Sequence, residues 1–576
     1  MRSLLKLSST ACLGVALLAP RWLHAQSGFD DKNWWRHAVI YEIYPRSFAD
    51  SNGDGIGDLN GITEHLDYLK RLGVDAIWIT PFYPSPQVDF GYDISDYRAI
   101  DPQFGTMADF DRLEAEAKKR DIRIINDMVL NHTSDKHPWF IESASSRNNP
   151  KADWYVWKDA KPDGKPPNEW QSEFGHSAWQ WVPARKQFYY HRFYKEQPDL
   201  NWENPQVRKA MYDACRFWMQ KGVMGFRLDA ITSLFEDVAL TDDPLLTGSE
   251  AGLDAFGEKK RRRVYTDNLP EVHEVLRELR KVTNEYPGRV LIGETYLPNV
   301  GELAKMYGRN NDELQLPMDT QLGFTNHFSV SDFRRKMEDA ETKLNNNVPL
   351  FMFGNHDNSR EINRYGDGKH NAAIARLLAT LLLTPRDAAQ IYYGEEIGMV
   401  DHPPTRVEDV RDPVGRTGWP KDKGRDAERT PMQWNAGTDA GFSNAKAPWL
   451  PVGSDYKTVN VAAEENDPNS LLNYYKKLIR LRKENAQLRD GDFVPVDESN
   501  DNVLSYLRKT KDGKAVLVSL NFTASPQTVK INPDGKGVSG KHAQTILASY
   551  DNAGQSTDLS NISLPPYGAY VGEVQP

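Results

Sequence analysis

Eight short apolar runs recur along the chain, separated by segments with helix-like patterns. The runs begin at Ala38, Asp75, Ile122, Gly225, Arg289, Glu313, Val348 and Ala388. Short runs rich in β-branched residues are typical of strands buried on both faces of a parallel sheet that helices cover. Eight of them favour an α/β fold in which the sheet closes into a (β/α)₈ TIM barrel, rather than an open doubly wound sheet.

The spacing of these runs places further domains around the barrel. Residues 30–130 and 202–488 are assigned to the barrel. Residues 131–201 are rich in Trp, Pro, Asn and charge, and they predict a subdomain inserted after the third strand, because bare loops of this length are uncommon. An irregular excursion from about 401 to 467 precedes a helix expected to begin at Ser470. Residues 489–576 carry short strands and turns, which predict a C-terminal antiparallel β-sandwich domain.

The first 25 residues have the pattern of a signal peptide. Arg2 and Lys6 precede the short apolar stretch ACLGVALLAP, and cleavage is expected after Ala25. This predicts an exported protein, periplasmic or secreted. No later stretch reaches about 18 apolar residues, so no membrane anchor is expected. Cleavage would remove Cys12 and leave Cys215, which is interpreted as a buried small hydrophobe rather than a nucleophile.

The charge of the chain argues against nucleic acid as a partner. The formal net charge is -10, and the acidic residues form no block. The basic run KKRRR, Lys259 to Arg263, is interpreted as a solvated loop or helix face rather than a polyanion site.

Polar residues at the ends of the predicted strands are the candidates for chemistry, because reacting groups of a (β/α)₈ barrel lie at the C-terminal ends of its strands. These residues are Asp127, Asn131 and His132 at the third strand, Arg227 and Asp229 at the fourth, Glu294 at the fifth, and His356 and Asp357 at the seventh. A single strand-end aspartate is more often a helix cap. Several carboxylates beside apolar strands require a further reason, because a carboxylate near a core costs free energy.

Four stretches that carry these residues, DMVLNH, GFRLDAI, IGET and GNHD, resemble in order and spacing the sequence regions of the α-amylase family of retaining glycoside hydrolases and transglycosidases. Three further stretches narrow the resemblance to the α-glucosidase and oligo-1,6-glucosidase branch. They are DFGYDISDY (Asp89 to Tyr97), QPDLN (Gln197 to Asn201) and RTPMQW (Arg429 to Trp434).

The resemblance implies a role for each strand-end carboxylate. Asp229 is expected to be the nucleophile that forms a covalent glucosyl enzyme, Glu294 the acid and then the base, and Asp357 the group that holds sugar hydroxyls and stabilises the transition state. Retention of configuration needs the nucleophile and acid about 5 to 5.5 Å apart. Arg227 is expected to keep Asp229 ionised, and burial with nearby negative charge to raise the pKa of Glu294.

The same resemblance implies a closed pocket for one terminal glucose. Asp89 and Arg429 are expected to pair across its closed end, Tyr92 to stack on the sugar, and His132 and His356 to bind sugar hydroxyls. Such a pocket predicts an exo-acting α-glucosidase that releases glucose from the non-reducing end of short oligosaccharides.

The preferred linkage is predicted from the residues after the nucleophile. In this branch a Val there tends to accompany α-1,6 cleavage, whereas this chain has Ala230 and Ile231. They favour α-1,4 substrates such as maltose. Four alternatives stay open at this point: a transglucosidase, a maltose/trehalose-isomerising glucosyltransferase, an oligo-1,6-glucosidase and a non-catalytic partner protein of the same fold. The oligomeric state is not predicted.

The stretch DSNGDGIGDLNG has the alternating oxygen ligands of a calcium loop. The candidate metal ligands are Asp50, Asn52, Asp54, the carbonyl of Ile56, and Asp58. Gly61 stands where a bidentate Glu would complete an EF-hand. The resemblance implies one structural Ca²⁺ or Mg²⁺ away from the sugar. The alternative is a metal-free turn held by Asx hydrogen bonds.

Overall fold

The computed structural model describes residues 29, 31–325, 327–552 and 554–575. The predicted signal peptide and Cys12 lie outside these residues. The strands are β1 (Val39–Ile43), β2 (Ala76–Ile79), β3 (Arg123–Val129), β4 (Trp157–Lys158), β5 (Trp179–Val182), β6 (Gln187–Tyr190), β7 (Gly225–Asp229), β8 (Val290–Gly293), β9 (Leu316–Pro317), β10 (Leu350–Phe351), β11 (Ala388–Tyr392), β12 (Asp492–Val496), β13 (Val503–Lys509), β14 (Ala515–Asn521), β15 (Gln527–Val529), β16 (His542–Ala548), β17 (Ser556–Asp558), β18 (Ile562–Leu564) and β19 (Ala569–Gln575).

The helices are α1 (Pro45–Phe48), α2 (Leu59–Glu64), α3 (Leu66–Leu72), α4 (Met107–Lys119), α5 (Pro138–Ser145), α6 (Pro205–Gln220), α7 (Val272–Asn284), α8 (Val300–Lys305), α9 (Thr320–Gly323), α10 (Val330–Lys343), α11 (Glu361–Tyr365), α12 (Asn371–Leu383), α13 (Pro413–Gly418), α14 (Val461–Glu465), α15 (Leu471–Glu484) and α16 (Ala486–Asp490). Several begin at side-chain caps that the sequence supplies. Thr106 and Asp109 form a capping box at α4, and Ser470 caps α15 at the predicted position.

The predicted barrel is confirmed. Eight parallel strands form one sheet in the order β10-β11-β1-β2-β3-β7-β8-β9, and each lies within one of the eight apolar runs. A parallel bridge between Met318 and Leu350 joins the two edges and closes the sheet. All residues of β1, β3 and β7 are buried, as expected for a sheet inside a layer of helices.

Alternate residues of the barrel strands face two different cores. Ile40, Trp78 and Ile292 belong to an inner cluster, whereas Tyr41 and Phe226 belong to the cluster between the sheet and the helices. Because side chains alternate along a strand, the inward positions of β7 near the barrel mouth are occupied by polar rather than apolar residues. This alternation brings the strand-end charges together inside the barrel.

The region between β3 and β7 contains the small antiparallel sheet β4-β6-β5 and helix α5. Isolated bridges from His132 to Asp199 and from Tyr155 to Leu200 connect the start and end of this region. It therefore returns to the barrel close to where it leaves it, at the C-terminal end of β3.

The C-terminal antiparallel domain is also confirmed. A six-stranded sheet in the order β12-β13-β14-β19-β16-β17 faces the two-stranded sheet β15-β18. Leu517 of the larger sheet and Val529 and Ile562 of the smaller one share an apolar core. The domain contacts the barrel through Tyr506, whose hydroxyl lies 2.5 Å from that of Thr384.

Cys215 is buried on α6, as predicted. Burial raises the pKa of its thiol to about 12, which removes the thiolate that a nucleophile needs.

In the part of the chain that the structure describes, none of the helices combines the length and apolar character required to cross a membrane.

The excursion after β11 folds back over the first βα connection. Met432 donates its backbone N–H to Ser47 O at 2.8 Å, and the indole of Trp434 donates to Phe48 O at 2.7 Å. Asp50 donates its backbone N–H to Phe442 O at 3.0 Å. These contacts fix the excursion at the barrel mouth, where two of its arginines enter the site.

Candidate active site

A cavity of about 430 Å³ lies at the C-terminal ends of the barrel strands. Of the residues predicted for the site, Asp89, Tyr92, His132, Asp229, Glu294 and Asp357 line it. The other three, Arg227, His356 and Arg429, are 0–1% exposed and lie behind this wall. The structure therefore brings all nine together, in two layers.

Arg227 is the centre of the buried layer. It lies on β7 at an inward position, with its guanidinium 4.9 Å from the ring centroid of Trp78. Its Nη1 contacts Asp229 Oδ1 at 2.6 Å and Asp127 Oδ1 at 3.1 Å. Its Nη2 contacts Glu294 Oε1. One cation thus holds three carboxylates, and the predicted nucleophile and acid lie on its two terminal nitrogens.

Burial shifts the protonation of these carboxylates. It raises the pKa of Asp229 to about 7 and that of Glu294 to about 7, against the lowering effect of Arg227. Arg227 lowers the pKa of Asp229 in the direction expected, but desolvation by burial has the larger effect. Neighbouring carboxylates of this kind titrate together.

Asp357 has the opposite environment. Its Oδ1 contacts Arg429 Nη2 at 2.7 Å and Arg425 Nη1 at 3.0 Å. Although burial disfavours its charge, His356 and the two arginines hold the pKa of Asp357 well below its usual range. The neighbours of Asp357 therefore favour its ionised form, whereas burial raises the pKa of the other two predicted catalytic carboxylates.

The predicted pair between Asp89 and Arg429 was wrong. Asp89 Oδ1 instead contacts Arg425 Nη2 at 2.7 Å. Arg429 turns inward and donates from Nε to His356 O at 2.7 Å. Both arginines lie on the same irregular segment, and Arg425, four residues earlier, is the one that reaches the cavity.

The Tyr92 ring, which lines the cavity, stacks on the buried ring of His356 behind it. Their rings are nearly parallel at 5.3 Å, and the Tyr92 hydroxyl lies 2.7 Å from His356 Nε2. His356 Nδ1 lies 2.6 Å from Glu42 Oε1, a residue the sequence analysis missed. Burial raises the pKa of Glu42 well above its usual range. A single acidic residue inside the apolar strand β1 was the signal that could have identified it.

His132 is fixed by three polar neighbours. Its Nδ1 lies 2.9 Å from Asn131 Oδ1, and its Nε2 lies 3.0 Å from Tyr92 O and 3.1 Å from Gln197 Nε2. Gln197 also donates to Asp89 Oδ2 at 3.2 Å. Burial lowers the pKa of His132 to about 4, so it is neutral at physiological pH. The QPDLN stretch thus connects to the pocket through Gln197.

A second polar wall of the cavity was not predicted. Glu173 and Arg192 come from the inserted region, and Asp267 comes from the segment after β7. Arg192 Nη2 contacts Glu173 Oε1 at 2.9 Å and lies 3.6 Å from Asp267 Oδ1. Arg263 also contacts Glu173, from Nε, at 3.0 Å. The KKRRR run was interpreted as solvated, but its last residue, Arg263, has only 24% of its side chain exposed and pairs with a carboxylate of the cavity wall.

The calcium-like loop lies outside this cavity. Asp50 Oδ1 accepts the backbone N–H of Gly53 at 2.7 Å, and Asn52 Oδ1 accepts that of Asp54 at 2.9 Å. Asp54 and Asp58 accept those of Ile56 and Gly61, each at 2.8 Å. All candidate ligands are oxygens, which suits Ca²⁺ or Mg²⁺. Among the described residues, however, no three Asp, Glu, His or Cys side chains form a metal-binding group, so the metal stays a prediction.

Comparison with known families accounts for almost all of the chain after residue 41. The catalytic domain of α-amylase matches residues 42–491, and the C-terminal domain of maltogenic amylase matches residues 493–571. The boundary between the two matches falls between α16 and β12.

Individual relatives are similar over most of their length. A probable α-glucosidase of Rhizobium meliloti (strain 1021) is 44% identical over 83% of this chain and 87% of its own. An oligo-1,6-glucosidase of Parageobacillus thermoglucosidasius is 40% identical over 95% of this chain and 100% of its own. The crystal structure of the α-glucosyl transfer enzyme XgtA superposes with a TM-score of 0.86 at 38% identity, covering 94% of this chain and 99% of that one.

Proposed function

The chain belongs to the α-amylase family of glycoside hydrolases, and from this premise we propose that it is a retaining, exo-acting α-glucosidase. Its substrates in this proposal are short α-glucosides, with α-1,4 linkages such as that of maltose preferred. The observation that carries the proposal is the position of Asp229 and Glu294 on the two terminal nitrogens of Arg227, at the wall of one cavity.

Each carboxylate has one part in the proposed reaction. Asp229 attacks the anomeric carbon while Glu294 protonates the glycosidic oxygen, and the leaving sugar departs with that proton. Glu294 then takes a proton from water, which attacks the glucosyl–aspartate ester and regenerates the free carboxylate. Arg227 contacts both side chains and so holds them near each other; a retaining mechanism requires about 5 to 5.5 Å between the two carboxyl groups.

The proton distribution supports these roles. Burial raises the pKa of Glu294 to about 7, so it can hold a proton to donate. Arg227 contacts both Asp229 and Glu294, and in the proposed reaction the proton that burial favours is on Glu294 while Asp229 is ionised. Asp357 stays ionised and faces the positive charge that develops on the sugar ring.

The Asp89–Arg425 pair supports cleavage at the non-reducing end of the oligosaccharide. Arg425 bridges Asp89 and Asp357 across the cavity, and its guanidinium lies 5.4 Å from the Phe174 ring centroid. A wall built of a buried ion pair and an aromatic ring limits the depth of the cavity. It leaves charged acceptors and donors for the hydroxyls of one terminal glucose.

Transglucosylation is the second candidate function, because the covalent intermediate can react with a sugar in place of water. The similarity to the α-glucosyl transfer enzyme XgtA favours it, and the polar wall of Glu173, Arg192 and Asp267 offers groups that could hold an acceptor.

A preference for α-1,6 linkages is the third candidate, since one relative is an oligo-1,6-glucosidase. The non-catalytic alternative required loss of a catalytic carboxylate, and Asp229, Glu294 and Asp357 are all present.

A substrate panel tests the proposal. Maltose, maltotriose, isomaltose, sucrose and trehalose are incubated with the protein, and products are resolved over time. The proposal predicts glucose as the first product, released as the α-anomer, with maltose cleaved faster than isomaltose. Initial release of β-glucose, or cleavage of none of the five, would contradict it. Accumulation of longer sugars or trehalose would favour the transfer alternatives.

Two further parts of the proposal concern the chain outside the cavity. We propose that the Asp50–Asp58 loop holds one structural Ca²⁺ or Mg²⁺, supported by its oxygen donors. We also propose export with cleavage after Ala25. Intact-mass measurement of protein from the periplasm or medium should give a chain beginning at Gln26, and a full-length chain beginning at Met1 would contradict export with cleavage.

A further inference from the structure

A second charged network, separate from the Asp89–Arg425 pair, lies in the cavity wall. We propose that Glu173 and Asp267, held in place by Arg192, bind the hydroxyls of the sugar that leaves or accepts the glucosyl group. This inference rests on the proposed function, because it assigns the sugar-binding groups on the far side of the cleaved bond. Arg192 is a positioning residue in it, and the two carboxylates are the specificity-determining groups.

Arg192 joins two separate parts of the fold at this wall. It lies in the inserted region and has only 8% of its side chain exposed. Besides its contacts with the two carboxylates, its Nη1 donates to Thr266 O at 2.6 Å. The backbone N–H of Glu173 donates to Arg192 O at 2.8 Å. A buried guanidinium with several donors fixed in this way sets the positions of both carboxylates.

The carboxylates are the exposed members of the network. About a third of the Glu173 side chain (32%) and a quarter of the Asp267 side chain (25%) are exposed, and both line the cavity. Thr232 and Ser233 donate to Asp267 Oδ1 at 2.8 and 3.1 Å. Part of each carboxylate is therefore open to a ligand in the cavity.

The sequence positions and ion pairs of these residues indicate where this wall lies in the cavity. Asp267 is held by residues three and four positions beyond Asp229. Arg192 pairs with Glu173 and Asp267, whereas Arg425 pairs with Asp89 and Asp357 at the glucose end of the proposed site. Two partly exposed carboxylates suit neighbouring hydroxyls of a sugar, each of which donates one hydrogen bond.

Arg263 adds a second cation behind Glu173. Its Nη1 also donates to Gln171 O at 2.8 Å, so it is anchored to the inserted region. Although burial disfavours the charge, Arg263 and Arg192 lower the pKa of Glu173 below its usual value. Glu173 is therefore an acceptor of hydrogen bonds at neutral pH, as recognition of hydroxyl groups requires.

The test compares maltose with α-glucosyl fluoride, whose leaving group brings no sugar to this wall. The ratio of kcat/KM for maltose to kcat/KM for the fluoride is measured in Asp267→Ala, Arg192→Met and Glu173→Gln. Loss of a charge-assisted hydrogen bond to the second sugar is expected to lower the ratio about tenfold. Arg192→Lys, which keeps a cation, should recover part of the loss, and this recovery separates positioning from simple destabilisation.

The matched control is Arg262→Ala. Arg262 belongs to the same basic run, but its side chain is 63% exposed and pairs with Glu250, so the ratio should stay within about twofold of the wild type. Ratios within twofold in all three wall variants would overturn the inference. A wild-type protein that cleaves neither substrate would instead overturn the proposed function. Glu173→Gln keeps the shape of the side chain, so it still tests the inference if the Arg192→Met variant does not fold.

Discussion

Two acidic clusters near the barrel mouth have similar composition and different chemistry. In the cavity, Asp229 and Glu294 depend on one buried arginine, and burial raises the pKa of both. In the loop from Asp50 to Gly61, the carboxylates accept backbone N–H groups of the loop itself. The two clusters thus differ mainly in what balances their charge: a buried arginine side chain in the cavity, and backbone N–H groups in the loop.

The two clusters are nevertheless connected through the excursion after β11. Ser443 donates to Asp50 Oδ2, and the backbone N–H of Trp449 donates to Gly55 O at 2.9 Å. The same excursion carries Arg425 and Arg429 into the site. The loop therefore supports the Arg425 end of the cavity indirectly, by holding the segment that carries this arginine.

The largest expected effect is at the predicted nucleophile. Asp229→Asn should lower kcat/KM for maltose at least about 10⁴-fold, because an amide cannot form the glucosyl ester. The matched change in the other cluster, Asp50→Asn, should leave kcat/KM within about tenfold. If both variants keep activity, or both lose it equally with the fold intact, the contrast between the clusters fails.

The next largest effect should distinguish Arg425 from Arg429, which lie on the same irregular segment after β11. Arg425→Lys should raise KM for maltose and lower kcat/KM about 100-fold, because it breaks charge-assisted contacts with Asp89 and Asp357 worth about 1.5–3 kcal/mol each. Arg429→Lys should mainly lower the melting temperature, since Arg429 supports Asp357 from behind. Steady-state kinetics and thermal unfolding on both variants check this, and a larger rise in KM for Arg429→Lys would contradict the observed pairing.

The third prediction concerns pH. Because burial raises the pKa of Glu294 to about 7, kcat/KM should fall as pH rises through about 7, when the acid loses its proton. The free energy of unfolding should also fall as pH rises. A carboxyl whose pKa is raised in the folded state binds more protons there, so stability falls between its unfolded pKa and about 7. Glu294→Gln should therefore gain more in melting temperature at pH 8 than at pH 5, and an equal gain would contradict the raised pKa.

The smallest effect belongs to the loop. Asp50 holds several backbone donors and Ser443, so Asp50→Ala should lower stability by about 1–3 kcal/mol. If the loop also binds Ca²⁺ or Mg²⁺, EDTA should lower the melting temperature of the wild type, and added cation should restore it. The same treatment should not affect Asp50→Ala. A wild-type melting temperature that is insensitive to EDTA, with no metal found by mass spectrometry, would support the metal-free turn.

The sequence predicted what depends on strand periodicity and position. The barrel, the C-terminal sheet and the strand-end residues Asp229, Glu294 and Asp357 follow from runs in which every alternate residue has a fixed direction. Their roles came from the family resemblance and stay predictions.

Other contacts could not be predicted, because no local rule fixes them. Arg425 and Arg429 are four residues apart on an irregular segment, so only the folded chain shows which of them reaches Asp89. Arg192 and Asp267 meet across two long insertions, 75 positions apart in sequence. Glu42 was visible as a charge within an apolar strand, but its partner His356 lies 314 residues away.

Trapping of the covalent intermediate tests the central claim most directly. Incubation with 5-fluoro-α-glucosyl fluoride, followed by digestion and mass spectrometry, should give a glucosyl adduct on the peptide that contains Asp229, at that side chain. The adduct should be absent from Asp229→Asn. An adduct on Glu294 or Asp357, or no adduct in a protein that releases β-glucose from maltose, would contradict the proposed mechanism.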